Sequence, residues 1–261
     1  MSSTPIQAVI LCGGFGTRFR EQTELRPKPM IEVCGRPILT HIMTSYASQG
    51  FKDFVLCLGY KASVIKRYFL DYGALNSDFT VDLRNQGNVE FHRSDAEDWK
   101  VTCADTGLNA MTGCRLKRVE KYIEGDEFLL TYGDGLSDVD VAETLAFHRA
   151  HGKAATVTGV RPRSRFGELV AEGDRVAEFS EKPAVEQGYI NAGFFVFSRK
   201  VFDYVADDES CVLERDPLEA LARDGELMIY RHHGFWQCMD TARDLELLEK
   251  HWRSGKAPWL R

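Results

Sequence analysis

The chain of 261 residues is 44% hydrophobic and 28% charged, with 22 glycines and 8 prolines. This is ordinary usage for a soluble globular protein and excludes collagen, coiled-coil and disordered classes. A single α/β unit of this length buries enough apolar surface to fold without a disulfide or structural-metal staple. The formal net charge of −6 speaks against a nonspecific grip on nucleic acid or anionic lipid, so a polyanionic ligand has to find a local positive pocket.

No apolar run approaches the roughly 20 residues of a membrane-spanning helix, and Met1-Ser2-Ser3-Thr4-Pro5 lacks the regions of a signal peptide. A cytoplasmic address with no membrane partner is expected. The 7 cysteines are scattered, odd in number and without a C-x-x-C pair, which predicts reduced, mostly buried thiols.

The first apolar run, 7–12, is short, continuous and rich in β-branched residues before it stops at Gly13-Gly14, as a central strand buried on both faces would. Apolar spacing predicts a helix over 37–49, with Pro37 at its start and Gly50 past its end. Further buried strands are predicted at 54–58 and 128–132, separated by helices near 62–71 and 115–124. Mixed polar and apolar runs at 79–84, 89–93 and 100–104 predict exposed strands forming a small side sheet. A helix over 139–150 leads to a strand at 155–160, a hairpin over 168–179 turning at Glu172-Gly173-Asp174, and a strand at 192–197 that opens a second α/β segment. The stretch 241–252 places Leu245, Leu248 and Trp252 on one helical face. One mixed fold with sub-lobes is expected.

The loop Gly13-Gly14-Phe15-Gly16 can turn its backbone N–H groups toward phosphate oxygens, though a tight strand-to-helix turn is an equal alternative for the glycines alone. Phe19 stands where the dinucleotide fingerprint needs glycine, which disfavours an NAD-dependent dehydrogenase, and the Gly-Lys-Ser/Thr ending of a Walker loop is missing. From Arg18 to Lys28 there are four cations (Arg18, Arg20, Arg26, Lys28) against Glu21 and Glu24. Pro27 and Pro29 stiffen the backbone around Lys28, while Arg20 and Arg26 read as a solvated basic face. Asp134, past the end of a buried strand, is placed for a metal. Asp240 is either its partner or the N-cap of the last helix, and spacing alone favours the cap. Asp138 and Asp140 read as residues that cap or charge the helix that follows them. His148 with His151, and His232 with His233, lack a third ligand and read as exposed helix-end and strand histidines.

Leu11-Cys12-Gly13-Gly14-Phe15-Gly16-Thr17-Arg18, followed by Pro27-Lys28-Pro29-Met30, resembles the signature of the sugar-1-phosphate nucleotidyltransferases. Met111-Thr112-Gly113-Cys114-Arg115, Thr131-Tyr132-Gly133-Asp134-Gly135, Glu181-Lys182-Pro183, Asn191-Ala192-Gly193 and Trp236-Gln237-Cys238-Met239-Asp240 extend the resemblance in the same order, toward its cytidylyl-transferring branch. Cys12, Cys114 and Cys238 stand where that pattern has Ala, Gly and Pro.

The resemblance implies a Rossmann-like, mixed but mostly parallel central sheet flanked by helices with a small accessory sheet. About 1–135 would form a nucleotide-binding half and about 136–261 a sugar-phosphate-binding half. It implies CTP and glucose 1-phosphate as substrates, Mg²⁺ as cofactor, and a homo-oligomer, with the tail 255–259 or the side strands available to cover a partner subunit. By the same resemblance Leu11, Cys12, Gly13, Gly14, Phe15, Gly16, Thr17, Arg115 and Gly133 bind the nucleotide. Tyr132, Glu181, Lys182, Asn191 and Gly193 bind the sugar phosphate. Arg18, Lys28 and Lys182 act on the reacting phosphates, and Asp134 with Asp240 holds the metal. Lys117 and Arg118 belong to the polar side of a helix, and Trp236 to packing. A thymidylyl-, uridylyl- or guanylyltransferase, or a silent nucleotide-sugar-binding regulatory subunit, remains the alternative.

Overall fold

The computed structural model describes residues 5–85, 87–94, 97–161, 168–172, 175–180 and 188–260. Seven strands form one sheet, in the order Leu227–His232, Ala155–Val160, Ile190–Ser198, Glu127–Tyr132, Gln7–Leu11, Asp53–Leu58 and Lys100–Asp105. Only Ile190–Ser198 runs antiparallel to its neighbours; the other pairings are parallel. The sheet is therefore mixed and mostly parallel.

Period-two alternation in fully buried strands produces two cores, one on each face. Ala8 and Ile10 point into one, with Phe54, Leu56 and Leu58. Val9 and Leu11 point into the other, with Val55, Cys57, Phe128 and Leu130. Helices Ile38–Ala47, Ala62–Leu70, Val141–His151 and Ala242–Arg253 cover the first face, and Thr112–Val119 and Asp216–Arg223 the second. No helix among the described residues is long and apolar enough to cross a membrane.

Along the chain the sheet grows from Gln7–Leu11 to Asp53–Leu58 and Lys100–Asp105 and then crosses back to Glu127–Tyr132 on the other side of Gln7–Leu11, so the strand order reverses there. Gln7–Leu11 is interior as expected, but three strands from the second half of the chain make Glu127–Tyr132 the middle one. A crevice opens at the carboxyl ends of such strands, the usual ligand position of an open α/β sheet.

Several expectations are corrected. Lys100–Asp105 joins the main sheet as its edge strand, parallel to Asp53–Leu58, and only Ser77–Asp82 and Asn88–Ser94 form the separate hairpin. An edge strand has one neighbour, so its polar alternation resembles that of a side sheet. Ile190–Ser198 is likewise part of the main sheet rather than the opening of a second α/β segment, and Leu227–His232, for which no element was expected, forms the other edge strand. The helix expected at 115–124 begins at Thr112 and ends in a 3₁₀ turn. The 168–179 hairpin forms as Glu168–Glu172 with Arg175–Ser180, and the turn at Gly173 and Asp174 lies outside the described residues.

His148 is buried rather than exposed, because Val141, Thr144, Leu145 and His148 share the inner face of one helix. Its Nδ1 meets the Thr156 hydroxyl at 2.9 Å. His232 pairs with Asp138 at 2.8 Å, so that Asp138 is no helix cap; Asp140 is, accepting from the Glu143 N–H. Trp259 in the tail is 1% exposed and packs beside His41 and Phe235 of its own chain, so its indole covers this chain's core and not a partner. All seven thiols are free; three are buried and four half-buried, fewer than expected.

Candidate functional site

Leu11 and Tyr132 are register partners, so the glycine loop and Gly133 leave the sheet side by side, joined by a Gly133 N–H to Leu11 carbonyl bond of 3.1 Å. A Cβ at Gly133 would sit 2.9 Å from Pro29 and 3.0 Å from the Leu11 oxygen, so only glycine permits this approach. Gly16 adopts φ +64°, the left-handed region, and its carbonyl accepts from the Thr23 hydroxyl at 3.2 Å. That turn brings the chain back so that Lys28 Cβ lies against Gly16.

Asp134 and Asp240 are brought together by a short antiparallel pairing: Cys238 lies opposite Gly135, and the Met239 N–H donates to the Asp134 carbonyl at 2.8 Å. The Asp240 side chain is not the helix cap. Thr241 caps Ala242–Arg253, in a capping box with Asp244. This releases the Asp240 carboxylate toward the glycine loop. Lys28, 7% exposed, donates to Asp134 and to Asp240 at 2.6 Å each, and Arg18 donates to Asp240 at 2.5 Å. Burial lowers the Lys28 pKa, but the Asp134 and Asp240 carboxylates more than reverse this, and the net direction is up. Burial of Asp240 is outweighed in turn by Lys28 and then Arg18, which hold its carboxyl below the ordinary range. The four groups form two matched charges of each sign.

Two carboxylates with a cation between them suit Mg²⁺, which takes one or two carboxylates and completes its shell with phosphate oxygens and water. The Lys28 ammonium lies between them, 2.6 Å from each. Among the described residues no cluster of three or more His, Cys, Asp or Glu suits a metal.

Arg115 is placed next to the loop but is 4% exposed. Its guanidinium donates to the Gly13, Leu58, Gly107 and Leu108 carbonyls and the Thr106 hydroxyl. A Cβ on Gly13 or Gly59 would overlap it. Arg115 therefore clamps the glycine loop, a part that the sequence does not reveal because its partners are mostly backbone carbonyls. Phe15 and Thr17 are exposed on the loop, with the Phe15 ring 5.3 Å from Tyr60.

On the opposite side of the crevice Gly193, at φ +81°, lies under the Tyr132 ring, and its N–H donates to Asn191 Oδ1 at 2.8 Å. Tyr132 donates its hydroxyl to Glu214, which no motif pointed to. Burial and then the Glu214 carboxylate push the phenol pKa strongly up, so it remains a donor. Trp236 packs as expected, its indole N–H donating to the Ala192 carbonyl at 2.8 Å. Glu181 and Lys182 lie outside the described residues.

Lys117 and Arg118 face outward in ion pairs with Glu120 and Asp207, and Arg26 pairs with Glu32. The three unusual thiols bring no charge to the site. Burial raises Cys12; burial and then Asp240 push Cys238 up to about 12; Cys114, raised by burial, turns toward Asp207.

A family model described as Nucleotidyl transferase matches residues 7–245. The chain belongs to this family. A glucose-1-phosphate cytidylyltransferase of Salmonella typhi is 49% identical over 255 residues, covering 97% of this chain and 98% of its own. A mannose-1-phosphate guanylyltransferase of Mycobacterium tuberculosis is 32% identical, over 94% of this chain and 64% of its own. Among solved structures, HddC from Yersinia pseudotuberculosis shares the nucleotidyltransferase fold, with a TM-score of 0.67 at 24% identity over 95% of this chain and 99% of its own. In this chain the glycine loop, Lys28, Asp134 and Asp240 meet beyond the carboxyl ends of Gln7–Leu11 and Glu127–Tyr132.

Proposed function

We propose that the chain transfers a cytidylyl group from CTP to α-D-glucose 1-phosphate, giving CDP-glucose and pyrophosphate. The observation that carries this is the Lys28 ammonium held between Asp134 and Asp240 beside the glycine loop. The near full-length identity to cytidylyltransferases supports the choice of base and sugar phosphate. Residues up to about 135 take the nucleotide, and those from about 136 the sugar phosphate.

The chemistry needs no general base. A phosphate monoester has a second pKa near 6 and is largely dianionic at neutral pH. Its difficulty is approach to a second anion, which alignment and charge neutralisation relieve. The backbone of Gly13–Gly16 cradles the triphosphate, Arg18 meets the leaving pyrophosphate, and Lys28 with Lys182 holds the reacting phosphates together. Asn191 and Gly193 face the sugar. Mg²⁺, held by Asp134 and Asp240, would supply further neutralisation of phosphate charge. Arg115, its donors committed to carbonyls, acts on the nucleotide by fixing the loop.

A homo-oligomer is part of this reading. Exposed Phe79 and Val81 lie opposite exposed Phe91 and Val89 on one hairpin, an apolar ladder that suits a second copy of the chain. Light scattering of the purified protein tests it, and a monomer at all concentrations rejects it.

Pyrophosphate release with glucose 1-phosphate and each of CTP, dTTP, UTP and GTP tests the reaction. CTP is expected to lead by roughly 10⁴-fold, the discrimination of a site whose hydrogen-bonding groups the wrong base leaves unpaired. An equal rate with another nucleotide reassigns the base, and no release with any of them favours a regulatory role.

A further inference from the structure

We propose that Glu214 is a positioning residue for the sugar phosphate, setting the orientation of the Asn191 amide through the Tyr132 hydroxyl. This rests on the reading above that Asn191 faces the sugar. Glu214 lies in no recognisable motif, between buried Leu213 and the helix Asp216–Arg223. Each of its carboxylate oxygens takes a hydroxyl from a different element: Oε1 accepts from Tyr132, and Oε2 accepts from Thr112 at 2.6 Å. Thr112 Oγ1 itself accepts the Leu213 N–H at 2.9 Å, which leaves its proton for Glu214.

A carboxylate only accepts, so the Tyr132 proton must point at Glu214. The Tyr132 oxygen is then left as an acceptor, and Asn191 Nδ2 lies 3.4 Å from it. Asn191 Oδ1 is already engaged by the Gly193 N–H at 2.8 Å, which fixes which end of the amide is which. Asn191 is exposed, and the second hydrogen on Nδ2 remains for a ligand acceptor. The polarity of the chain, from Gly193 through Asn191 and Tyr132 to Glu214, thus makes Asn191 present a donor to the crevice. With a glutamine at 214 the amide can donate to Tyr132, whose own proton can then turn toward Asn191 and reverse the order.

The test is steady-state kinetics of Glu214→Gln, which keeps the volume and changes the polarity. The KM for glucose 1-phosphate is expected to rise about 10-fold, the weight of one misplaced hydrogen bond, with kcat and the KM for CTP within about twofold. Tyr132→Phe, which cuts the same link, should raise the same KM, and the double variant should be no worse than either single one. An unchanged KM for glucose 1-phosphate, an equal rise for both substrates, or additive effects would overturn the proposal. If Glu214→Gln does not fold, Tyr132→Phe decides alone, an unchanged KM for glucose 1-phosphate rejecting the link. A wild-type protein inactive with CTP and glucose 1-phosphate removes the underlying reading and the proposal with it. An active wild type with an unresponsive Glu214→Gln removes the positioning role alone.

Discussion

Lys28 and Asp134 meet at 2.6 Å, and the same ammonium lies 2.6 Å from Asp240 on its other side. One buried cation therefore separates two carboxylates that would otherwise face each other. Removing one partner of such a set leaves uncompensated buried charge, at a cost of about 3–5 kcal/mol. Lys28→Met is accordingly expected to melt at a lower temperature, and Mg²⁺ should raise its melting temperature more than that of the wild type. Equal Mg²⁺ shifts in thermal unfolding would show that the carboxylates do not share a cation site. Turnover should fall by about 100-fold or more, as on removing one electrostatic stabiliser.

Arg18 makes the opposite case. Its side chain is 74% exposed, so its pair with Asp240 contributes at most about 1 kcal/mol. Arg18→Ala should keep its melting temperature while pyrophosphate release falls by roughly 100-fold. Wild-type rates in the folded variant would remove Arg18 from the reaction.

Asp244 acts on the site through the backbone. Its Oδ2 accepts from the Asp240 N–H at 3.1 Å and from the Thr241 N–H at 2.9 Å, while Oδ1 accepts from Gln237 at 3.0 Å. Asp244→Ala is expected to lose about 1 kcal/mol of stability with the capping box. Its half-saturating Mg²⁺ concentration should rise severalfold in the activity assay, because Asp240 is no longer aimed. A stability loss with unchanged Mg²⁺ dependence would leave Asp244 as a cap alone.

His148 sets an acid limit on the fold. Burial, and then neighbouring His151, lowers its pKa from 6.5 to about 4. The unfolded chain binds this proton more readily, so the stabilisation is present above pH 6.5 and drains away as pH falls toward 4. Melting temperature should drop across that window, and less steeply in His148→Gln. Identical pH profiles for the two proteins would assign the acid sensitivity elsewhere, with His151, whose pKa burial also lowers, as the next group to replace.

The elements legible in the sequence are those with a strong local cause. The continuous apolar run before Gly13 has no exposed face to reveal, and it became a strand buried on both sides. Val141–His151 has both its Asp140 cap and Gly152 stop within the segment itself. What the sequence hides depends on neighbours. Lys100–Asp105 has the composition of an exposed strand and gained its place from pairing with Asp53–Leu58. The burial of His148 is hidden in the sequence because Thr156, its partner, stands across a turn on the next strand.

Within the site the same division holds. Glycines, prolines and the Lys28 and Asp134 motifs were visible because backbone geometry and charge restrict which residue types serve there. The nearness of Asp134 to Asp240, the clamping of Gly13 by Arg115 and the Glu214 link to Tyr132 are contacts between distant segments. Residue types therefore allowed a phosphate site, because phosphates demand cations and close backbone approach, and the ordered motifs that resemble the family named the chemistry. Chain folding alone decided which acid caps a helix and which meets Lys28, since the same carboxylate serves either role until a partner is brought within hydrogen-bonding distance.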